Sequence, residues 1–143
     1  MARAMTEEEW RSFVSEGTRT GKLATVREDG SATVVPVWFV IDTDGTFVFM
    51  TGSNTAKGKA MRRDPRVALL VDDEHPPFSF VLARGEVTIS DDLEAMLPWS
   101  IRIATRYMGA DTGEEFGRRN AVAGEVLVRL SPRTVIATAD MTG

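Results

Sequence analysis

The sequence predicts a mainly β, α+β domain: a small antiparallel β-barrel with flanking helices. Three observations lead there. Short runs rich in β-branched and aromatic residues follow one another closely. Asp-Gly pairs at Asp29-Gly30 and Asp44-Gly45 separate the first of these runs, a hairpin signal. Helical periodicity is confined to the start, the middle and one long crossover, which suits a barrel better than a doubly wound sheet.

The elements follow in order. "TEEEWRSFVS" opens with Thr6, which can cap a helix, and with acids that suit the helix dipole. Trp10, Phe13 and Val14 share one face of it, and "GTRTG" ends it. Three strands come next, "KLATVRE", "ATVVPVWFVID" and "TFVFMT". Pro36 has no amide hydrogen, so it belongs at an edge, a bulge or a strand start. "NTAKGKAMRRD" is a short helix with Asn54 or Thr55 as N-cap, stopped by Pro65. "RVALLVDD" reads as a buried strand, "DEHPP" as a loop, and "FSFVLARGEVTIS" as a long strand with Gly85 marking a bulge. Residues 91–108 have helical spacing, with a break or a new start expected at Pro98. "GADTGEEFGRRNA" reads as a loop or a weak short helix. Two last strands, "EVLVRL" and "TVIATAD", are joined by "SPR", giving about six or seven strands.

Composition narrows the function. The 143 residues favour one domain, 1–143. Lys and Arg total 17 against 21 Asp and Glu, a net charge of −4, which argues against a non-specific nucleic-acid binder. The chain has no cysteine and one histidine, His75, so thiolate chemistry and multi-histidine metal sites are excluded. The metal expectation is none. "VVPVWFVI" is too short for a membrane span, and "MARAMTEEEW" lacks the apolar stretch of a signal peptide, so a cytoplasmic location is expected.

"TGSNTAKGKAMRRDP" is the most suggestive segment. A P-loop needs G-x-x-x-x-G-K-[ST]. Counting from Gly52, the second glycine falls on Lys57; Gly58-Lys59 comes one residue late and Ala60 supplies no hydroxyl. What remains is a helix start able to hold an anion, with Lys57 in the first turn, where a cation opposes the helix dipole unless something negative is bound. An ordinary solvated helix start is the alternative. His75 reads as an exposed loop residue.

"LATVREDGSATVVPVWFVIDTDGTFVFMTGSNTAKGKAMRRDPRVALLVDD", followed by "FSFVLARGEVTIS", resembles the pyridoxamine 5'-phosphate oxidase-like split β-barrel family, within it the branch that uses the deazaflavin coenzyme F420. The resemblance covers residues 20–90 well and the rest loosely. It implies a six-stranded antiparallel split β-barrel with flanking helices, and a homodimer with cofactor sites at the interface. It places the phosphate segment on Thr51, Gly52, Ser53, Thr55, Ala56 and Lys57. Many relatives carry arginine where this chain has Ala56; its loss removes one bidentate phosphate contact, for which Lys59 or Arg62 could compensate, and points away from FMN. The strand with Pro36, Val37 and Trp38 would lie along the deazaflavin ring, and Phe78 matches an aromatic that reaches the other subunit's cofactor in some relatives. For Trp38 and Phe78 the alternative is a core or interface aromatic.

The implied activity is hydride transfer between F420 and an unsaturated small organic substrate. The cofactor would carry the chemistry, so no catalytic side chain is assigned; Thr51, Ser53 and Tyr107 are conceivable polar helpers. Lys59, Arg62, Arg63 and Arg66 could steer a polyanionic tail, with a solvated face as the reading for Arg63 and Arg66. The alternatives are an FMN-binding oxidoreductase of the same fold, or a non-catalytic cofactor or tetrapyrrole carrier. Arg133 in "SPRTV" does not match the C-terminal substrate arginine motif of a true pyridoxamine phosphate oxidase.

Overall fold

The structure is a computed structural model and describes residues 1–143. Its elements run β1 (Arg3–Ala4), α1 (Glu7–Ser15), β2 (Gly21–Val26), β3 (Ala32–Val37), β4 (Phe39–Ile41), β5 (Phe47–Gly52), α2 (Ala56–Arg63), β6 (Arg66–Asp73), β7 (Ser79–Ser90), α3 (Leu93–Met108), α4 (Ala110–Asn120) and β8 (Glu125–Ala139).

One antiparallel sheet carries the fold, in the order β3-β2-β6-β7-β8-β5-β4, with β1 added against the end of β8. Its two ends, β3 and β4, are separated in sequence by Trp38 alone. Strands that are neighbours in the chain but lie at opposite ends of the order force the sheet to curl until those ends meet. That is a barrel split along a seam at Trp38.

The seam corrects the expected strand count from six to seven on this path, because "ATVVPVWFVID" is two strands rather than one. The physical cause lies in α3. The Phe39 amide donates to the Tyr107 hydroxyl (3.2 Å), and its carbonyl accepts from Arg106 Nη1 (2.7 Å). These side chains replace a neighbouring strand just where the chain passes from pairing with β2 to pairing with β5. Pro36 sits on β3 opposite Lys22, and β3 is an end strand, one of the positions where a residue without an amide hydrogen is accommodated.

Local signals behave as their chemistry demands. Thr6 and Glu9 form a reciprocal capping box on α1. Both Asp-Gly turns place glycine at φ 87, the left-handed value that favours Gly. Gly85 lies at a bulge, where a Cβ would stand 2.4 Å from the Ser131 carbonyl oxygen.

Three other expectations are corrected. α3 continues through Pro98, which is exposed, and the Glu94 carbonyl that loses its i+4 donor lies in the exposed first turn, open to solvent. Residues 110–120 form a full helix. Gly113 and Gly117, which weaken it in isolation, allow it to lie against α3; a Cβ would stand 2.1 Å from Thr105 Oγ1 and 2.5 Å from Ile101 Cα. "EVLVRL" and "TVIATAD" fuse into β8, with "SPR" paired to β7 across the bulge.

The barrel interior is filled by Phe39, Phe47, Phe49, Leu69, Val81 and Leu130, and Trp10 and Val14 of α1 close one end. On the outside, Val40 and Val48 pack against Met96 and Ile103 of α3. β5 is therefore buried on both faces. Each fully buried aromatic or aliphatic side chain of this kind contributes about 1.5–3 kcal/mol. The paired burial fixes α3 over the seam, where the candidate site lies.

Candidate functional site

A cleft of about 290 Å³ opens beside the seam. One wall is Pro36, Val37 and Trp38 at the end of β3; the opposite wall is Ser100, Ile103 and Ala104 of α3. Met50, Asn120, Lys57 and Glu125 complete it. Its size is at the lower limit of the ~300–1,000 Å³ typical of ligand pockets, room for a ring system with any tail running out to solvent.

Four residues anticipated from the sequence thus meet here: Pro36, Val37, Trp38 and Lys57. Trp38 is 39% exposed and stacks flat on Tyr107, with ring centroids 4.9 Å apart. The Tyr107 hydroxyl donates to the Arg19 carbonyl (2.8 Å) while accepting from the Phe39 amide. Burial pushes its pKa up from the ordinary value. The hydroxyl gives its one hydrogen to the protein rather than offering it to a substrate.

Lys57 stands in the first turn of α2 and is half-buried, with neither a salt bridge nor a hydrogen bond to the protein. Thr55 caps this helix: its Oγ1 accepts from the Gly58 amide (3.1 Å) and donates to the Gly52 carbonyl (2.7 Å). The cap serves Gly58 only, and the Ala56 and Lys57 amides remain open. Gly58 brings the helix start down onto β5, since a Cβ there would stand 2.4 Å from the Gly52 carbonyl oxygen.

The other anticipated residues frame this loop. Thr51 is buried beneath it, its hydroxyl 3.1 Å from that of Thr55. The Ser53 amide donates to the Gly124 carbonyl (2.8 Å), and the Ser53 carbonyl accepts from Arg62. Ala56 faces a separate, shallow depression with Arg27, Lys59 and Arg63. Arg66 pairs with Asp64 through two hydrogen bonds (2.9 and 2.7 Å) and lies on a solvated face, as read for it from the sequence. Phe78 is not brought to the cleft. It lies in an apolar depression with Leu70, Phe80 and Met141 and holds φ at 57, unusual for a residue with a side chain. The His75 side chain is 88% exposed and lies 3.0 Å from Asp73.

Sequence reasoning missed Met50, Ser100, Ile103, Ala104, Asn120 and Glu125. Five of these belong to α3, α4 or β8, whose place over the seam depends on long-range packing. Glu125 is the Cα partner of Gly52 in the β5–β8 ladder and so sits across from the phosphate-type loop, a placement that only the strand register reveals.

No group of three or more His, Asp and Glu side chains is arranged to hold a metal. No helix is long and apolar enough to cross a membrane.

Residues 6–139 match the family described as pyridoxamine 5'-phosphate oxidase. No curated protein matches the chain. Among solved structures, a conserved hypothetical protein from Mycobacterium tuberculosis superposes with a TM-score of 0.80 at 27% identity, covering 93% of this chain and 84% of that one. A protein described as an F420 reductase gives 0.69 at 26% identity, with 87% and 94% covered. HutZ, a heme storage protein from Vibrio cholerae, gives 0.73 at 18% identity, with 94% and 95% covered, and is alike in fold.

Proposed function

Since the chain belongs to the pyridoxamine 5'-phosphate oxidase family, we propose that residues 1–143 form one F420-dependent reductase domain, passing hydride between the deazaflavin and an unsaturated small organic substrate. The observation that carries this reading is Lys57: an unpaired, half-buried cation at a capped helix start, sharing one cleft with the Pro36–Trp38 strand. Similarity to a structure described as an F420 reductase supports the choice of cofactor.

The residues fit such a group. Lys57 and the open amides at the start of α2 would hold its phosphate. Pro36, Val37 and the pinned ring of Trp38 would flank its ring system, with Ile103 and Ala104 keeping the opposite wall apolar. When bound, F420 supplies hydride transfer. The chain's part is to orient the ring, exclude water along the apolar wall and leave room for an acceptor. Thr51, Gly52, Ser53 and Thr55 act indirectly, by fixing the loop that aims Lys57. The reading includes a homodimer in which Phe78, set in its exposed apolar depression, serves the site of the other copy.

Parallel fluorescence titrations with F420 and FMN test this proposal. F420 should bind and FMN should bind more weakly; tight FMN binding with none for F420 contradicts it. Oxidation of reduced F420 in the presence of enones or quinones then separates an enzyme from a carrier, which would bind without turnover.

A further inference from the structure

We infer that Glu125 is a specificity-determining residue of the cleft, disfavouring a phosphate monoester relative to a phosphodiester. This rests on the proposed function for the identity of the ligand. It does not restate it, because nothing in that reading requires an acid beside the anion site.

Of the ten residues that line the cleft, only Lys57 and Glu125 carry charge. They do not form an ion pair, and Glu125 has no other cationic partner. Its position is fixed by the fold. Glu125 is the Cα partner of Gly52, and Gly124 before it accepts a hydrogen bond from the Ser53 amide. A Cβ placed on Gly52 would lie 3.3 Å from Glu125 Oε2, so the carboxylate is held against the backbone of the anion-type loop. An anion seated at Lys57 therefore meets one positive and one negative side chain in the same partly enclosed space, where charges interact more strongly than in bulk water.

Ligand charge decides the consequence. A phosphate monoester carries about −1.5 to −2 at pH 7. A phosphodiester carries a single negative charge. Repulsion falls with distance, so the Glu125 carboxylate acts on the phosphate seated beside Lys57 rather than on the charges of a tail running out to solvent, and it opposes a monoester up to about twice as strongly as a diester. FMN ends in a monoester, whereas the phosphate of F420 is a diester. The carboxylate thus selects between two ring systems of similar shape by reading the phosphate rather than the ring, excluding the wrong ligand instead of adding contacts to the right one.

The test compares wild type, Glu125→Gln and Glu125→Asp, each titrated with FMN, riboflavin and F420 by fluorescence, with thermal unfolding followed in parallel. Gln should tighten FMN about tenfold, which is about 1.4 kcal/mol. It should tighten F420 no more than about threefold and leave riboflavin, which has no phosphate, unchanged. Asp, which keeps the charge, should reproduce wild type. An FMN affinity equal in wild type and Glu125→Gln overturns the inference, as does an equal gain for riboflavin. If F420 fails to bind wild type, the proposed function falls, while a gain for FMN with none for riboflavin in Glu125→Gln still shows that Glu125 opposes a phosphate monoester in the cleft.

Discussion

Two regions meet at Trp38 and treat their polar groups in opposite ways. On the α3 side, Arg106 donates to the carbonyls of Gly17 (3.0 Å), Phe39 (2.7 Å) and Val14 (2.7 Å), and the Tyr107 hydroxyl both donates and accepts. Burial lowers the pKa of Arg106 from its ordinary value, yet three carbonyls surround its guanidinium. On the α2 side, Lys57 and Glu125 have no partners and two helix amides are open. The contrast teaches a division of labour. Saturated polar groups bolt the seam of the barrel, and unsaturated ones are left where a ligand can use them. A polar group left without a partner is costly in a core, and is tolerated at a cleft that water or a ligand can reach.

The strongest way to break this comparison is to remove the bolt. Arg106→Met should destabilise the fold by about 3 kcal/mol, because three carbonyls lose a charged donor at once; chemical denaturation measures it. A loss below about 0.5 kcal/mol would show that the seam closes without it. Gly58→Ala should cost about 1–3 kcal/mol through the clash with the Gly52 carbonyl. Unlike the seam variant, it should also weaken cofactor binding, since it moves the start of α2; unfolding and ligand titration on one sample read both effects. Tyr107→Phe should cost about 1 kcal/mol by freeing the Phe39 amide and the Arg19 carbonyl, with the Trp38 stack preserved. Unchanged Trp38 fluorescence in a Trp10→Phe/Trp99→Phe background would check that the stack survives.

The smallest effect lies outside both regions. The Asp64 carboxyl is held down to about 2, first by the hydrogen bond from the Arg66 side chain and then by the Arg66 amide. A depressed carboxyl adds stability above its unfolded value of about 3.9 and loses it as pH falls through about 2. Asp64→Asn should therefore flatten part of the stability loss between about pH 4 and pH 2, with the cleft unaffected. An identical acid profile in wild type and variant would remove Asp64 from that account.

What the sequence made legible has a common character. The Thr6 capping box, the two Asp-Gly turns, the Thr55 cap and the stop at Pro65 all depend on a few neighbouring residues. What it hid depends on partners far along the chain. The break at Trp38 needs Arg106 and Tyr107, nearly 70 positions away. α4 looks weak because Gly113 and Gly117 lower its own helix preference, and those glycines are what let it touch α3. The candidate site divides in the same way. Lys57 and the strand with Trp38 stand out locally, whereas Glu125 enters the cleft only through the register of β5 on β8.

The most direct measurement of the central claim is a pair of titrations of F420 into wild type and Lys57→Ala, with thermal unfolding followed on the same samples. If the unpaired lysine is kept for a ligand, the variant should bind F420 more weakly by about 1–3 kcal/mol and unfold at the wild-type temperature. Unchanged F420 affinity, or a lowered unfolding temperature with no change in binding, would contradict the account.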